Sequence, residues 1–191
     1  MLPGVDGARL VKISKYLARH LRHSPDRIEL RLDEGGWVEV DALLAACNAR
    51  GFPLTRAELD EVVRRNDKRR YSYDQAGRRI RASQGHSVAV DLGLAPTEPP
   101  RVLFHGTSTA AVPAILAEGL RPMGRLAVHL SPDEATARRV GSRHGRPVIL
   151  AVDAAAMARD GHAFTRSENG VWLIGAVPAS YLRQAETGRQ F

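Results

Sequence analysis

Val102-Leu103-Phe104-His105-Gly106-Thr107-Ser108 is the stretch on which the fold of this chain turns. Its first three residues are apolar and predict a short buried strand, and the chain turns polar at once afterwards. Ser108 and Thr109 can each cap a helix, Ala110 to Glu118 is rich in Ala, Ile and Leu, and Gly119 stands where that helix should stop. Strand, His-Gly-Thr and helix would leave a histidine and free backbone N–H groups facing a cleft. The triplet is short, so its weight depends on what the rest of the chain supplies.

Downstream, the pattern predicts strands at 126–130 and 147–153, a helix at 132–141, and shorter strands near 162–165 and 170–174. Ser131-Pro132-Asp133-Glu134 has the form of a capping box with proline in the first turn. Alternation puts Leu126, Val128 and Leu130 on one face of their strand, with His129 and Ser131 together on the other. Upstream, Gly93-Leu-Ala-Pro-Thr-Glu-Pro-Pro100 has three prolines in eight residues and no periodicity. It predicts a boundary between residues 1–93 and residues 101–191.

The first segment opens with Leu10, Ile13, Leu17 and Leu21 at helical spacing, ended by Arg22-His23-Ser24-Pro25. A turn and short strand follow at 32–40, and then a helix capped by Asp41. Thr55-Arg-Ala-Glu58 is a second capping box, with Leu59, Val62 and Val63 as the apolar stripe behind it. Arg70-Tyr-Ser-Tyr73, Asp74-Gln-Ala-Gly77 and Arg78-Arg-Ile-Arg-Ala82 form a hairpin pattern. Three short helices and a hairpin resemble a winged helix, a relative of the helix-turn-helix that docks on nucleic acid.

The 191 residues carry a net charge of +7 and a pI near 10.3, almost wholly from arginine, which favours a polyanionic partner. Eight basic residues face two acidic ones between Arg64 and Arg81, with Tyr71 and Tyr73 interleaved. That density of arginine suits phosphate contacts better than a merely solvated hairpin. No apolar run nears the roughly 20 residues of a membrane span. The N-terminus lacks a basic then apolar leader, and a single cysteine, Cys47, leaves no intramolecular disulfide. Cys47 lies in Leu43-Leu-Ala-Ala-Cys47 and reads as a small core residue. A cytoplasmic protein is expected, and a monomer, since nothing in the pattern demands a dimer.

Familiar catalytic machinery is absent: no phosphate-binding Gly-x-x-x-x-Gly-Lys loop, no His-Glu-x-x-His, no nucleophile elbow and no cysteine ligand set. No metal is expected. Asp33-Glu34 and Asp133-Glu134 sit in turns and caps and read as structural. A catalyst without metal, thiol or paired carboxylates works by positioning and by cationic stabilisation of charge, and arginine is what this chain offers.

A set of motifs in unbroken order resembles the NAD-dependent RNA (tRNA) 2′-phosphotransferases. They are Ser14-Lys15, Leu21-Arg22-His23-Ser-Pro25, Leu32-Asp33 with Gly36-Trp37-Val38, Ile80-Arg81-Ala82-Ser83-Gln84-Gly85-His86-Ser87, His105-Gly106-Thr107, Val128-His129-Leu130-Ser131, and Glu168-Asn169-Gly170-Val171. The resemblance runs from about residue 10 to residue 182, and the Ile-Arg-Ala-Ser-Gln-Gly-His-Ser run is its most specific part. It implies an α+β fold of two lobes, the N-terminal winged-helix-like and the C-terminal of ADP-ribosyltransferase type.

It further implies NAD as co-substrate and an RNA bearing an internal 2′-phosphate as partner. The 2′-phosphate would attack the nicotinamide-bearing ribose carbon and expel nicotinamide. The 2″-hydroxyl would then attack the phosphate, leaving a 2′-hydroxyl on the RNA and ADP-ribose 1″,2″-cyclic phosphate. The family's catalytic set falls on Arg22, His23, Arg70 and Arg125, with Arg69 standing beside Arg70 as the alternative. His105, Gly106 and Thr107 would hold the ADP-ribose moiety, with His129 and Ser131 on the nicotinamide side. Ile28-Glu29-Leu30 departs from the Gly-Leu pair expected after the Arg-His-x-Pro turn. Two other readings are an ADP-ribosyltransferase acting on nucleic-acid ends or on protein, and a winged-helix regulator that only senses NAD.

Overall fold

α1 (Gly7–Arg22) forms on the periodicity of its leucines and buries Ile13, Leu17 and Leu21 completely. The structure is a computed structural model and describes residues 6–66, 68–142 and 146–185. The first five residues, to which the leader argument applied, and the last six of the expected second lobe lie outside the described residues. Pro25 follows the end of α1 closely, and the chain makes a 3-10 turn over Pro25–Ile28. That turn closes on Glu29, whose φ of +55° is a left-handed conformation normally left to glycine. The Glu29 carboxylate is held by Arg50 at 2.5 Å.

β1 (Val38–Glu39) leads into α2 (Val40–Ala49). The expected cap at Asp41 is corrected: α2 starts at Val40 with Glu39 before it, and Asp41 sits inside the first turn. There its carboxylate still favours the positive end of the helix. α3 (Arg56–Arg64) opens with the expected capping box, in which Thr55 and Glu58 each accept from the other's backbone N–H. β2 (Tyr71–Tyr73) and β3 (Arg79–Ala82) pair as the expected hairpin, and the antiparallel sheet runs β1-β3-β2 with Tyr71 opposite Ala82. Leu17 and Leu21 of α1, Leu43 and Cys47 of α2, Leu59 of α3 and Ile80 of β3 are its solvent-free core.

The chain divides into two compact units between Gly93 and Leu94. In the second unit, β4 (Val102–Ser108) runs straight through the His-Gly-Thr triplet instead of turning there. β6 (Pro147–Asp153) pairs with it along all of its length, from Val102 opposite Asp153 to Ser108 opposite Pro147. That partner, invisible to local periodicity, keeps the polar half extended. β9 (Leu182–Gln184) completes the sheet β4-β6-β9. A second antiparallel sheet has the order β5 (Val128–Leu130), β8 (Trp172–Ile174), β7 (Thr165–Arg166). The core of this unit gathers Leu103, Leu130, Val152, Met157, Phe164 and Trp172.

The helices of the second unit correct several expectations. A 3-10 turn at Thr109–Ala111 precedes α4 (Val112–Glu118), and neither Ser108 nor Thr109 caps it through a side chain. α5 (Glu134–Gly141) is capped by Asp133, which accepts from Thr136 N at 2.7 Å, and not by Ser131. Ser131 is spent in the sheet, exchanging both backbone hydrogen bonds with Phe104 at 2.9 and 2.8 Å. Leu126 lies ahead of β5 and is 49% exposed, so it does not share the buried face of Val128 and Leu130. α6 (Ala154–Arg159), capped by Asp153, and β9 were not anticipated, since neither is long enough to show a period.

The described residues thus form six α-helices and small antiparallel sheets, an α+β arrangement. No helix among them is long and apolar enough to cross a membrane.

Candidate functional site

The last residue of α1 and its C-cap carry the first pair of expected site residues, Arg22 and His23. The loop after β3 folds back over them. Ser87 N donates to the Arg22 carbonyl at 2.9 Å, and Ser87 Oγ shares a hydrogen bond of 3.0 Å with His23 Nδ1. Gly85 takes φ +90°, and a Cβ there would meet the Arg22 guanidinium 3.5 Å away. A side chain at Gly85 would therefore be strained in its backbone and pressed against the cation it supports.

His86, 3% exposed, lies between these two residues. Burial first, then the nearby charges of Arg22, His23 and Arg81, push its imidazole down to about 4, so it is neutral at physiological pH. Its Nε2 has no hydrogen-bond partner and lies close to Gly36, where an added Cβ would stand 3.4 Å away. Arg81 stacks on the Trp37 ring at 4.4 Å and donates to the Gly35 and Leu92 carbonyls at 3.4 and 3.2 Å. It ties the 83–92 loop to the 33–37 turn.

The structure treats Arg69 and Arg70 differently. Arg69 is exposed and strained at φ +40°, and its carbonyl accepts from Ser83 Oγ at 2.9 Å. Arg70 is half-buried, its Nη1 donates to Asn66 Oδ1 at 3.3 Å, and its carbonyl accepts from Ser83 N at 2.8 Å. Arg70 and Arg22 both stand near the Tyr71 hydroxyl, and their charges work against the rise in its pKa that burial imposes. Tyr71 in turn donates to the Ser14 carbonyl of α1. Arg22, His23 and Arg70 are therefore brought into one neighbourhood, held by Ser83, Gly85 and Ser87.

In the second unit, His105 of β4 is half-buried and its Nδ1–H donates to the His129 carbonyl at 3.1 Å. Burial lowers its pKa, which keeps the ring neutral and leaves Nε2 as an acceptor. Phe104 bonds across to Ser131, so by strand alternation Gly106 presents its own N–H and C=O on that same edge. Its α-carbon packs against α5: a Cβ at Gly106 would sit 1.8 Å from the Ala137 carbonyl oxygen. Thr107 is buried and pairs with Val148. His129 and Ser131 are half-buried on the same face of their strand. Arg125 stands exposed on the turn ahead of β5, its N–H on the Pro122 carbonyl at 2.7 Å.

Among the described residues no group of three or more His, Cys, Asp or Glu side chains gathers as a metal site. Cys47 is buried in the first core, its thiol pushed up to about 11 by burial, which suits packing and not nucleophilic attack.

Residues 8–176 match the sequence profile of the RNA 2′-phosphotransferase, Tpt1 / KptA family. The chain belongs to that family. It is 64% identical to a Streptomyces coelicolor protein named "Probable RNA 2′-phosphotransferase", over 92% of this chain and 95% of that protein. Proteins of Streptomyces griseus and Trichormus variabilis bearing the same name are 57% and 55% identical, each over 93% of this chain and 98% of the relative.

Within this RNA 2′-phosphotransferase family member, the residues that sequence reasoning missed are the supports. Ser83, Gly85, His86 and Ser87 were visible as a motif, but nothing local showed that they close over a helix end some 60 residues earlier. A glycine and a serine flanking a histidine just past a strand were the available signal. The resemblance places Gly106 at ligand contact, and the structure adds that its missing side chain makes room for α5.

Proposed function

We propose that this chain is an NAD-dependent RNA 2′-phosphotransferase, removing an internal 2′-phosphate from RNA to leave a 2′-hydroxyl. Family membership over residues 8–176 supports the reaction. The observation in the fold that carries the reading is the Arg22–His23 pair seated on the Gly85–Ser87 loop, with Arg70 nearby.

On this reading Arg22 and Arg70 grip the 2′-phosphate and His23 adds a hydrogen bond, neutralising charge that spreads over the phosphoryl oxygens during transfer. NAD, when bound, supplies the ribose carbon that receives the phosphate, nicotinamide as leaving group, and the hydroxyl that finally carries the phosphate off as ADP-ribose 1″,2″-cyclic phosphate. The donor set on β4 and its neighbour fits such a co-substrate. A neutral His105 offers an acceptor to a ribose hydroxyl, and Gly106, with His129 and Ser131 beside it, offers backbone and side-chain partners to polar groups. Thr107, buried and paired with Val148, belongs to the same hold on the ADP-ribose moiety. Arg125 stabilises the second transfer.

We read the first unit, residues 1–93, as a winged-helix-like lobe that meets the RNA, supported by its three helices and hairpin. Residues 101–191 are read as an ADP-ribosyltransferase-like lobe for NAD. The protein acts as a cytoplasmic monomer and needs no metal. Its ADP-ribosyltransferase activity toward other acceptors is secondary.

Single-turnover assays on an RNA with one internal 2′-phosphate test the roles. Arg22→Ala should slow phosphate removal by at least about 100-fold, the usual scale for losing one charge-stabilising donor. Arg125→Ala should release nicotinamide while the phosphate stays on the RNA. Full turnover by either variant would remove its assigned role.

A further inference from the structure

α1 carries Ser14, Ala18 and Arg22 four residues apart, hence along one face of the helix. A groove of about 380 Å³ lies along the first part of that face, closed on its other side by Val62, Arg65, Asn66, Lys68 and Arg70. Its floor is apolar, made by Leu10, Val11, Ala18 and Val62, and Val11 is 54% exposed in it. Its polar rim is Ser14, Lys15, Arg65, Asn66, Lys68 and Arg70. Four of those are cations, and among the described residues no carboxylate lines the groove.

The groove has a direction. Arg70 belongs to its rim, and the α1 face continues from Ser14 to Arg22, about 12 Å along the helix axis. That is the length of about three stacked nucleotides at 3.4 Å each. We propose that this groove binds the RNA strand flanking the 2′-phosphorylated nucleotide, with Lys15 and Lys68 on backbone phosphates and a base lying on the apolar floor. The proposal rests on the reading of Arg22 and Arg70 as the grip on the 2′-phosphate. Cations over an apolar floor give affinity with little choice of sequence, because every base offers a flat face and every nucleotide a phosphate.

The test uses a fluorescent single-stranded RNA of six nucleotides without any 2′-phosphate, and no NAD. Binding anisotropy is followed from low to high salt for the full chain, for Lys15→Ala/Lys68→Ala, and for Arg27→Ala/Arg31→Ala, which removes the same charge from exposed positions outside both the groove and the hairpin. Lys15 and Lys68 are exposed, so truncating them leaves the fold intact. The groove variant should bind about tenfold more weakly, and its slope of log affinity against log salt should fall by about 0.7 for each lysine lost. The control pair should stay within about twofold of the parent. Equal binding by the groove variant, or an equal loss in the control, overturns the proposal. Failure of the enzymatic reading would appear elsewhere, as no loss of phosphate from a 2′-phosphorylated RNA given NAD.

Discussion

Glu29 holds a left-handed φ of +55° with its N–H shared between the Asp26 and Pro25 carbonyls. A residue with a Cβ carries a cost of roughly 1–2 kcal/mol in that conformation. Its exposed ion pair with Arg50 returns little of this. Glu29→Gly should therefore stabilise the protein by up to about 1 kcal/mol in urea unfolding, the added flexibility of the unfolded chain offsetting part of the relief. A less stable variant would show that Arg50 depends on its partner. The departure from Gly-Leu at this point was legible in the sequence, while the backbone angle that makes it matter was not. His86 gives a second test at this scale. Its folded pKa of about 4 lies below the ordinary 6.5, so the unfolded chain takes up a proton that the folded protein refuses. Stability contributed by the neutral ring is present above about 6.5 and is lost as pH falls toward 4. His86→Gln removes that titration. Its stability relative to the parent should improve between pH 7.5 and pH 4.5, and a constant difference over that window would contradict the assigned environment.

β4 and α5 meet through glycine. Gly106 leaves room for the Ala137 carbonyl, and Gly141 approaches Thr107 so closely that a Cβ would lie 3.1 Å from its backbone nitrogen. Gly106→Ala must push α5 off the sheet and should cost about 3 kcal/mol or more, measured by denaturant unfolding. A loss below about 1 kcal/mol would mean that the helix can move freely. Local pattern reached some elements and missed others for definable reasons. The Thr55–Glu58 box and the β2–β3 hairpin are written in residues a few positions apart, and both formed as expected. The polar half of β4 looked like a turn because its reason for staying extended is β6, some 40 residues later. The Asp133 cap displaced the expected Ser131 cap for the same kind of reason: Phe104 claims Ser131 from a distant strand.

At the scale of the molecule, a net charge of +7 carried on arginine favours a polyanionic partner, and family membership names the chemistry. Arg22 and His23 read by residue type alone as a solvated cap at a helix end, and only the family resemblance gives them a role at the site. What periodicity could not supply was the loop of residues 83–87 that seats them, because that contact joins the end of the first helix to the far side of a hairpin. The central claim is that this loop holds a phosphate grip serving an NAD-dependent reaction. The most direct measurement incubates the protein with a short RNA carrying one internal 2′-phosphate, with and without NAD, and resolves the RNA and nucleotide products. The account predicts that the 2′-phosphate disappears only when NAD is present, with nicotinamide and ADP-ribose 1″,2″-cyclic phosphate appearing in equal amounts. Phosphate loss without NAD, or an intact 2′-phosphate after incubation of the folded protein with NAD, would contradict it.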